Sequence, residues 1–599
     1  MPVRLLFDIK KNFFSTNMKF VPHLAAFLAA VGLSLSSSHA QQHSDAIRLN
    51  QIGFYPAAPK VAVVAGDGFE AFEVKDAKSG KTVLKGMLGP VRTSQHSGKH
   101  TRVADFSQLR KPGNYTIDVP GLGKSAPFSV GARVHREVAE ASLKGFYFQR
   151  ASTELPEKYA GKWARKAGHP DDKVLIHASA VSDGRPENTL ISSTRGWYDA
   201  GDYNKYIVNS GITMGTLLSL YEDFPLFFED FNINIPESNN GVPDLLDEVA
   251  WNLRWMLTMQ DPADGGVYHK LTNPRFDGMI MPDAAKNPRY VVQKGTAATL
   301  DFVAVMAQAS RVFKNFDNKF PGLADSCTTA AVRGWQWAGK NPAVLYEQGE
   351  MNKQFDPDVV TGAYGDRSVK DEWIWAASEM YAMTGKPEYI EKVDLELNQP
   401  LALPTWGNVK TLGYYTLVRF GDKLKLPAEL AAPLRKSIVT YADGLISGLE
   451  KQPYHTVMGK VAQDYSWGSS SVAANQGIAL MYAYRITKDL HHLHGALGNL
   501  DYLLGRNATG YCFLTGFGSK RVMHPHHRLS IADGVVDPLP GLLSGGPNPG
   551  QQDKCAGYPN KFPDESFIDH DCSYASNEIA INWNAPMVYL AAALEASMK

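Results

Sequence analysis

Between residues 45 and 130 the apolar positions form short runs that alternate with polar positions. Examples are AIRLNQIGF, KVAVVAG, AFEVKDA, TRVADFS and GNYTIDV. Gly, Pro, Asp and a Lys-Ser-Gly turn separate the runs, as expected for short strands joined by tight turns. This spacing favours an immunoglobulin-like β-sandwich over residues 45–130, although the Cys…Trp…Cys pattern of antibody domains is absent.

After residue 133 the apolar positions recur at three- to four-residue spacing, which is typical of amphipathic helices. Clear examples are VHREVAEASLKGFYF, TAATLDFVAVMAQASRVF and SVAANQGIALMYAYRI. Roughly a dozen such segments follow one another, joined by long loops rich in Gly and Pro. The pattern predicts an all-helical second domain over residues 134–599, with no low-complexity linker before it.

The first forty residues have the pattern of a targeting segment. A basic residue follows Met18, an apolar run covers 24–35, and Ser38 and Ala40 fit a small-x-small cleavage site. The run is too short to span a bilayer comfortably, and no later stretch reaches about 18 uninterrupted apolar residues. We expect a signal peptide over residues 1–40, cleavage after Ala40, and a secreted or periplasmic protein. A retained N-terminal anchor is the alternative.

Charge and composition restrict the partners of the chain. Its 61 basic residues balance 61 acidic ones, and 44% of the residues are hydrophobic, as in soluble globular proteins. A balanced surface gives no reason to expect nucleic acid or an anionic membrane as a partner. A neutral polysaccharide suits such a surface, and we expect a monomer.

Two distant segments carry candidate catalytic carboxylates. GWYDAGDYNKY at 196–206 contains Asp199 and Asp202, and YASNEIAINWNAP at 574–586 contains Glu578. Glycoside hydrolysis needs one carboxyl group that protonates the leaving oxygen and another that stays ionised to activate water or attack the sugar. The alternatives are a turn or helix cap for the aspartates and the first charge of an amphipathic helix for the glutamate.

These segments resemble the signature regions of glycoside hydrolase family nine, the family of many cellulases, and the resemblance covers the chain from about residue 45 onward. It implies an (α/α)6 barrel and, for one branch, an N-terminal immunoglobulin-like module. It also implies that Asp202 is the catalytic base, with Asp199 holding the same water, and that Glu578 is the acid. We predict that Glu578 opens the last helix and that burial or neighbouring carboxylates raise its pKa. The implied function is an exported, inverting endo-β-1,4-glucanase.

A third segment, LTGFGSKRVMHPHHR at 514–528, resembles another signature, in which His526 and Arg528 match a substrate-contacting pair. Both side chains can hydrogen-bond sugar hydroxyls. The run of histidines is also compatible with a metal site, but Pro525 cramps its spacing and no carboxylate or Cys completes a set. His269 in GGVYHK corresponds to another sugar-contacting histidine of the family, with a buried structural histidine as the alternative.

Three tryptophans resemble the aromatic residues of the family's cleft, on which sugar rings stack through their apolar faces. They are Trp467 in YSWGSSS, Trp406 in LPTWGN, and Trp583. We expect them to bind the β-glucan or cello-oligosaccharide substrate.

The segment TGAYGDRSVKDEWIWAA resembles a calcium loop of the family. Its oxygen donors suit a hard cation, and the candidate ligands are Thr361, Gly362, Asp366, Asp371 and Glu372. Residues 406–408 read Trp-Gly-Asn where a further Asp ligand is expected, which departs from the family pattern. The alternative is a loop followed by an acidic helix start.

Some relatives have a structural zinc held by two cysteines and two histidines near the start of the barrel. Ala151 and Gly168 stand in the cysteine positions here, leaving His169 and His177. Two imidazoles without thiolates make a poor structural site, so we predict that this zinc is absent and that no cofactor takes part in the chemistry.

The four cysteines are Cys327, Cys512, Cys555 and Cys572. A bridge between Cys555 and Cys572 would fix the loop that precedes Glu578. Export permits disulfides but does not require them in a long chain, and unpaired thiols are the favoured interpretation.

Two other functions remain open. An exo-β-glucosaminidase acting on chito-oligosaccharides occurs in some branches of the family and would need an extra carboxylate for the 2-amino group. A glycan-binding protein without catalysis belongs to a different class, and the presence of all three candidate carboxylates argues against it.

Overall fold

The computed structural model describes residues 43–598. The targeting segment predicted for residues 1–40 lies outside this range. Within the described range, no helix has both the length and the apolar character that a bilayer crossing requires.

Residues 47–130 form a β-sandwich of two sheets. Its strands are β1 (Ile47–Arg48), β2 (Gly53–Phe54), β3 (Val61–Ala65), β4 (Ala71–Asp76), β5 (Thr82–Met87), β6 (Arg92–Thr93), β7 (His100–Asp105), β8 (Gly113–Val119), β9 (Gly123–Lys124) and β10 (Phe128–Val130). One sheet has the order β1-β3-β7-β6 and the other β2-β10-β8-β4-β5, with β9 paired to β8. Tyr115, Ile117 and Val119 of β8 alternate inward because successive strand residues face opposite sides. The immunoglobulin-like fold class is confirmed.

Buried polar contacts fix the sandwich against the helical domain. The Tyr55 hydroxyl donates to Glu595 at 2.6 Å, and Asn50 Nδ2 donates to Asp501 at 2.7 Å. Buried polar groups need such partners, so these bonds also define how the two domains face each other.

The helices of the second domain are α1 (Arg136–Phe148), α2 (Glu157–Ala160), α3 (Ile207–Asp223), α4 (Asp244–Thr258), α5 (Thr296–Phe313), α6 (Leu323–Lys340), α7 (Gln348–Asn352), α8 (Lys370–Thr384), α9 (Glu388–Glu391), α10 (Lys410–Leu424), α11 (Ala428–Ile446), α12 (Ser469–Thr487), α13 (Leu490–Leu503), α14 (Arg528–Ala532), α15 (Tyr574–Asn577) and α16 (Ile581–Ser597). Of these, α2, α7, α14 and α15 are single turns inside loops, and α9 is a single turn that occupies an outer position between α8 and α10.

The remaining twelve described helices alternate between an outer and an inner layer, which gives the predicted (α/α)6 barrel. The inner helices are α3, α5, α8, α10, α12 and α16. Helix α3 packs on α5, α5 on α8 and α8 on α10, while α12 packs on α16 and α16 packs back on α3. Helices α3, α5 and α16 are buried on nearly every side, as expected for helices enclosed by a second layer.

The loops before the inner helices add a small sheet that the all-helical prediction missed. Its strands are β11 (Val174–Ile176), β12 (Leu190–Ile191), β13 (Lys205–Tyr206), β14 (Lys270–Thr272) and β15 (Tyr290–Val291), in the order β12-β11-β15-β14-β13. Strands of two or three residues are too short for a period of two to show in the sequence. Strand β13 leads directly into α3, so the sheet holds the segment that begins that helix.

Candidate active site

The candidate residues gather where the inner helices begin. The two aspartates precede α3, Glu578 precedes α16, Trp406 precedes α10 and Trp467 precedes α12. Loops at one end of a rigid barrel can therefore present all of them to a common cavity.

Asp199 is 1% exposed and is held by three donated hydrogen bonds. Asn209 Nδ2, on the first turn of α3, donates to both carboxylate oxygens at 3.0 Å, and the Tyr364 hydroxyl donates at 2.9 Å. Burial, and then the charge of Asp202, raises the pKa of Asp199 to about 8. The buried pair therefore resists carrying two negative charges.

Asp202 lies at the cavity wall with its own set of donors. Asn204 Nδ2 donates to its Oδ2 at 2.6 Å and the Tyr206 hydroxyl donates to the same oxygen at 3.1 Å. Both donors meet Oδ2, so they fix the orientation of the carboxylate at the cavity wall and leave Oδ1 for another partner.

Gly201, between the aspartates, is required for space. A Cβ added there would lie 2.3 Å from the His526 carbonyl oxygen and 3.2 Å from Glu578 Oε1. The residue is not among the glycines with positive φ, so an unusual backbone conformation is not the reason for its presence. Close backbone approach explains it.

Glu578 does not open the last helix, contrary to the prediction. It follows α15 in extended conformation, bridges to His526 in a parallel β-bridge, and lies three residues before Ile581, where α16 begins. Its Oε1 accepts a hydrogen bond from the Gly201 amide at 3.3 Å. Burial raises the pKa of Glu578 well above its ordinary value, and the charges of Asp202 and Asp199 raise it further. A proton held near neutral pH is what a general acid requires.

His526 and Arg528 both line the cavity. His526 Nδ1 contacts the Asp571 carbonyl oxygen at 2.6 Å. A carbonyl can only accept, so Nδ1 carries the proton and Nε2 remains an acceptor. Arg528 donates to the Gly201 carbonyl at 2.7 Å and to the Asp277 carbonyl at 2.9 Å, which locks its guanidinium beside the aspartates.

His269 does not reach the cavity, so its predicted contact with sugar is not supported by the structure. The side chain is 1% exposed, its ring stacks on Tyr346 at 4.0 Å, and Nε2 donates to the Ala363 carbonyl at 2.8 Å. Its contacts are those of a buried structural histidine, and they support the residue that precedes Tyr364.

The cavity has a volume of about 760 Å³. Its aromatic walls include the three predicted tryptophans and three further rings: Trp406, Trp467, Trp583, Phe276, Tyr364 and Tyr574. Trp467 is 44% exposed and lies 5.5 Å from the Tyr574 ring, at the open side. Exposed aromatic faces beside carboxylates suit a sugar chain, because the C–H faces of pyranose rings stack on them.

The calcium-loop residues form part of a larger cluster of buried oxygens. Within residues 43–598, no protein donor reaches either carboxylate oxygen of Asp301 or Glu372, Oδ2 of Asp366, or Oδ1 of Asn408. Asp371 lies beside them and accepts from a backbone amide at 2.8 Å. Buried oxygens without donors are costly unless a cation satisfies them, so this set fits a hard cation such as Ca²⁺.

The pKa values of the carboxyl groups in this cluster also indicate a site suited to a cation. Burial, followed by neighbouring carboxylates, raises the pKa of Glu372 to about 11 and that of Asp366 to about 7. A bound divalent cation would reverse both shifts by favouring the ionised forms. Asp301 was not identified from the sequence, although a lone acidic residue inside the apolar run TLDFVAVM is a usable signal.

Thr361 and Gly362, by contrast, do not belong to this cluster. The Lys270 ammonium donates to Thr361 Oγ1 at 3.1 Å and to the Gly362 carbonyl at 2.7 Å. A cation already bonded to these oxygens excludes a second one, so their predicted role as calcium ligands is wrong.

The region predicted to lack zinc offers no tetrahedral ligand set. Ala151 is fully buried and offers no ligand atom, and a Cβ at Gly168 would lie 2.4 Å from Pro282, so that position has no room for a thiol. His169 Nδ1 bonds a tyrosine hydroxyl at 3.0 Å and His177 Nε2 donates to a backbone carbonyl at 3.0 Å. The absence of zinc remains a prediction.

Cys555 and Cys572 form a disulfide, with Cα atoms 5.6 Å apart, so the preference for unpaired thiols at these positions was wrong. Cys327 and Cys512 are buried and unpaired. The bridge closes the loop immediately before Tyr574, which lines the cavity, and thus restrains the approach to Glu578.

Several supporting residues were missed in the sequence. They are Asn204, Tyr206, Asn209 and Tyr364, all donors to the aspartates. Three of the four follow the aspartates directly in DYNKYIVNSG, and polar residues at the buried start of an otherwise apolar helix were an available signal.

Comparison with known proteins agrees with this architecture. The profile "Glycosyl hydrolase family 9" matches residues 135–591 and "Cellulase N-terminal ig-like domain" matches residues 42–124. The chain is 48% identical to a xyloglucan-specific endo-beta-1,4-glucanase of Bacteroides ovatus, over 97% of this chain and 99% of that one. It is 33% identical to Endoglucanase D of Acetivibrio thermocellus, over 92% and 83%. A solved structure described as Bacteroides ovatus GH9 superposes with a TM-score of 0.88 at 47% identity, covering 93% of this chain and 100% of that one.

Two carboxylates at one aromatic-lined cavity of a helical barrel are the arrangement that a glycoside hydrolase needs. The profile match extends over most of the barrel and names the class more closely: the chain belongs to glycosyl hydrolase family 9.

Proposed function

We propose that this chain is an endo-β-1,4-glucanase that hydrolyses its substrate with inversion. The observation that carries the proposal is that Asp202 and Glu578 line one cavity and are connected through the Gly201 amide. The relative at 48% identity is named an endo-beta-1,4-glucanase, and the relative at 33% identity is named an endoglucanase.

In the proposed reaction Glu578 transfers its proton to the glycosidic oxygen while the bond from that oxygen to the anomeric carbon breaks. Asp202 accepts a proton from water, whose oxygen bonds to the anomeric carbon from the opposite face. Asp202 ends protonated and Glu578 ionised, and exchange with solvent restores both. His526 and Arg528 hold sugar hydroxyls and the backbone of the aspartate segment.

Asp199 assists the base Asp202 from outside the lining of the cavity. It does not line the cavity, and its raised pKa keeps a proton on it near neutral pH. A protonated Asp199 carries no charge, so Asp202 is the carboxylate of the pair that is available as the base.

We propose a β-1,4-linked glucan as the substrate, with xyloglucan included because the relative of 48% identity is named for it. Among the described residues that line the cavity, the only carboxylates are Asp202 and Glu578. Neither is spare for a 2-amino group, so the glucosaminidase is the weaker candidate.

The experiment compares reducing-end release from xyloglucan, carboxymethylcellulose, mixed-linkage β-glucan and chitosan. We expect release from one or more β-1,4-glucans, rapid loss of viscosity that marks internal cleavage, and none from chitosan. Release from chitosan alone would establish the glucosaminidase. Binding of β-glucan without release from any substrate would establish the non-catalytic glycan-binding protein.

The role of Glu578 as the acid can be tested with a Glu578→Gln variant, which should lose most of the activity. Glu429→Gln is its matched control, because Glu429 is an exposed glutamate in the first turn of an outer helix. It should retain wild-type activity. Equal losses in the two variants would mean that the loss does not come from the site.

We further propose that the enzyme acts outside the cytoplasm as a monomer and binds one structural calcium ion. The N-terminal pattern and the Cys555–Cys572 disulfide support an oxidising compartment. The ion would be held by the cluster of Asp301, Asp366, Asp371, Glu372 and Asn408. Calcium would supply stability there and no chemistry.

A further inference from the structure

Lys270 is a fully buried lysine that lies directly opposite Tyr206 in the pairing of β14 with β13. Within residues 43–598 no carboxylate forms an ion pair with its ammonium group, which is unusual because buried lysines are rarely left without one. The charge must therefore be stabilised by neutral oxygens, and the structure supplies three of them.

These oxygens connect Lys270 to the loop before α8. The ammonium donates to Gln348 Oε1 at 2.6 Å, to the Gly362 carbonyl at 2.7 Å and to Thr361 Oγ1 at 3.1 Å. Two residues further along this loop is Tyr364, whose hydroxyl donates to Asp199. Lys270 thus anchors the segment that presents one of the donors to Asp199.

A second path runs from the same ammonium to Asp202. Thr361 Oγ1 bonds Thr272 Oγ1 at 2.7 Å, Thr272 bonds Asn204 Oδ1 at 3.0 Å, and Asn204 Nδ2 donates to Asp202 Oδ2 at 2.6 Å.

Elementary chemistry fixes part of this path. Lys270 can only donate, so Thr361 Oγ1 accepts from it. Asn204 Oδ1 also accepts from the backbone amide of Asn273 at 2.9 Å, which fixes the orientation of the Asn204 amide and directs its Nδ2 at Asp202. The single hydroxyl proton of Thr272 is within reach of both Asn204 Oδ1 at 3.0 Å and the Asn273 carbonyl at 2.8 Å. Thr272 therefore joins Thr361 to the segment that positions Asn204.

The charged and titratable groups near Lys270 are Asp202, His269, Tyr206 and Tyr346. The rings of Tyr206 and Tyr346 lie 5.6 and 5.5 Å from its nitrogen. Burial lowers the pKa of Lys270 to about 7, and the charge of Asp202 opposes that shift. The charge of Asp202 therefore favours the charged form of Lys270.

We propose that Lys270 is a positioning residue of the hydrolytic site, which orients Asp202 through Thr361, Thr272 and Asn204. This inference rests on the proposed function. Lys270 does not line the cavity and touches no substrate, so it acts only through these residues.

The test uses Lys270→Met, which keeps the length of the side chain and removes its charge and donors. We expect kcat on β-1,4-glucan to fall roughly 10- to 100-fold, as a small misplacement of a catalytic group does, with KM little changed. The acidic limb of the kcat/KM profile should move to higher pH, because a base without its nearby cation is harder to ionise.

Two further variants separate positioning from folding. Thr272→Val interrupts the path without touching a charge and should lower kcat in the same direction, whereas Thr272→Ser keeps the hydroxyl and should resemble wild type. In the double variant Lys270→Met/Thr272→Val, the fold-loss of kcat should be smaller than the product of the two single fold-losses. The effects of residues that act through one network are not additive.

Lys60→Met is the control for burying a methionine in place of a lysine. Lys60 is also fully buried and donates to three backbone carbonyls, but it lies in the sandwich. The Lys60→Met substitution should lower the melting temperature while leaving kcat unchanged. Wild-type kcat and pH profile in Lys270→Met, or wild-type kcat in Thr272→Val, would overturn the inference. A wild-type enzyme that cleaves no β-glucan would instead overturn the proposed function.

Discussion

The backbone amide of Gly201 donates a hydrogen bond to Glu578 Oε1 at 3.3 Å, across 377 positions of sequence. The glycine immediately precedes Asp202, so one peptide segment fixes both the base and the acid of the proposed reaction. Coupling of this kind makes their relative position depend on the backbone, where a change of about 1 Å can cost 10²-fold in rate.

Glu578→Gln tests the proton donor with little change in shape. We expect turnover on β-glucan to fall by roughly 10²–10⁴, the usual contribution of a general acid. An aryl glycoside with an acidic leaving group needs no protonation and should lose much less. The measurement is kcat on both substrates, and equal losses would show that Glu578 is not the acid.

Gly201→Ala tests the close approach between the segments. The added Cβ would meet the His526 carbonyl oxygen at 2.3 Å, so Asp202 and Glu578 must move apart. We expect kcat to fall on the order of 10²-fold with a smaller change in melting temperature. Gly444→Ala is the matched control, because an added Cβ there meets no atom within 4 Å and a helical alanine is favourable. Full activity in Gly201→Ala would mean that the contact is not needed.

The two domains and the three motifs were predictable because their signals are local. Strand and helix periods lie within single segments, and a motif such as GWYDAGDYNKY is contiguous. Glu578 was misplaced by three residues because its extended conformation depends on a bridge to His526, a partner more than fifty residues away in sequence. Local propensity favoured a helix there, and tertiary pairing overrode it.

The errors at His269 and Thr361 have a similar origin. Residue type and spacing cannot distinguish a histidine that faces a cavity from one stacked beneath Tyr346. Nor can they reveal that Lys270 reaches the oxygens of the calcium loop. Asp301 lies on a different helix from the other acidic residues of the cluster, so only packing brings it to them.

Calcium should stabilise the protein more at higher pH. The raised pKa values of Asp366, about 7, and Glu372, about 11, mean that the folded chain without metal holds protons that the unfolded chain releases above about pH 4. The free energy of unfolding of the metal-free form therefore falls as the pH rises from about 4 towards the raised pKa values of the folded chain. Calcium must displace those protons, so its effect grows as they become easier to remove.

The measurement is the melting temperature with calcium and with a chelator, near pH 5 and near pH 8. We expect a larger calcium-dependent increase near pH 8, and a reduced one in Asp301→Asn. Activity in the cold should depend on calcium much less than the melting temperature does. An increase of the same size in Asp301→Asn would place the ion elsewhere, and stoichiometric zinc by elemental analysis would contradict the predicted absence of that metal.

The stereochemistry of the first product tests the mechanism itself. An inverting enzyme leaves room for water, so its carboxyl groups lie ~6.5–9.5 Å apart, whereas a retaining enzyme brings them to ~5–5.5 Å. A base that activates water needs room for that water, so we expect the carboxyl groups of Asp202 and Glu578 to fall in the wider range. We therefore expect the α-anomer to appear first from a β-linked oligomer, by proton NMR before mutarotation, with a retaining β-glucanase run in parallel as the control. An initial β-anomer, or a trapped glycosyl adduct on Asp202, would show that Asp202 is a nucleophile and that the inverting mechanism is wrong.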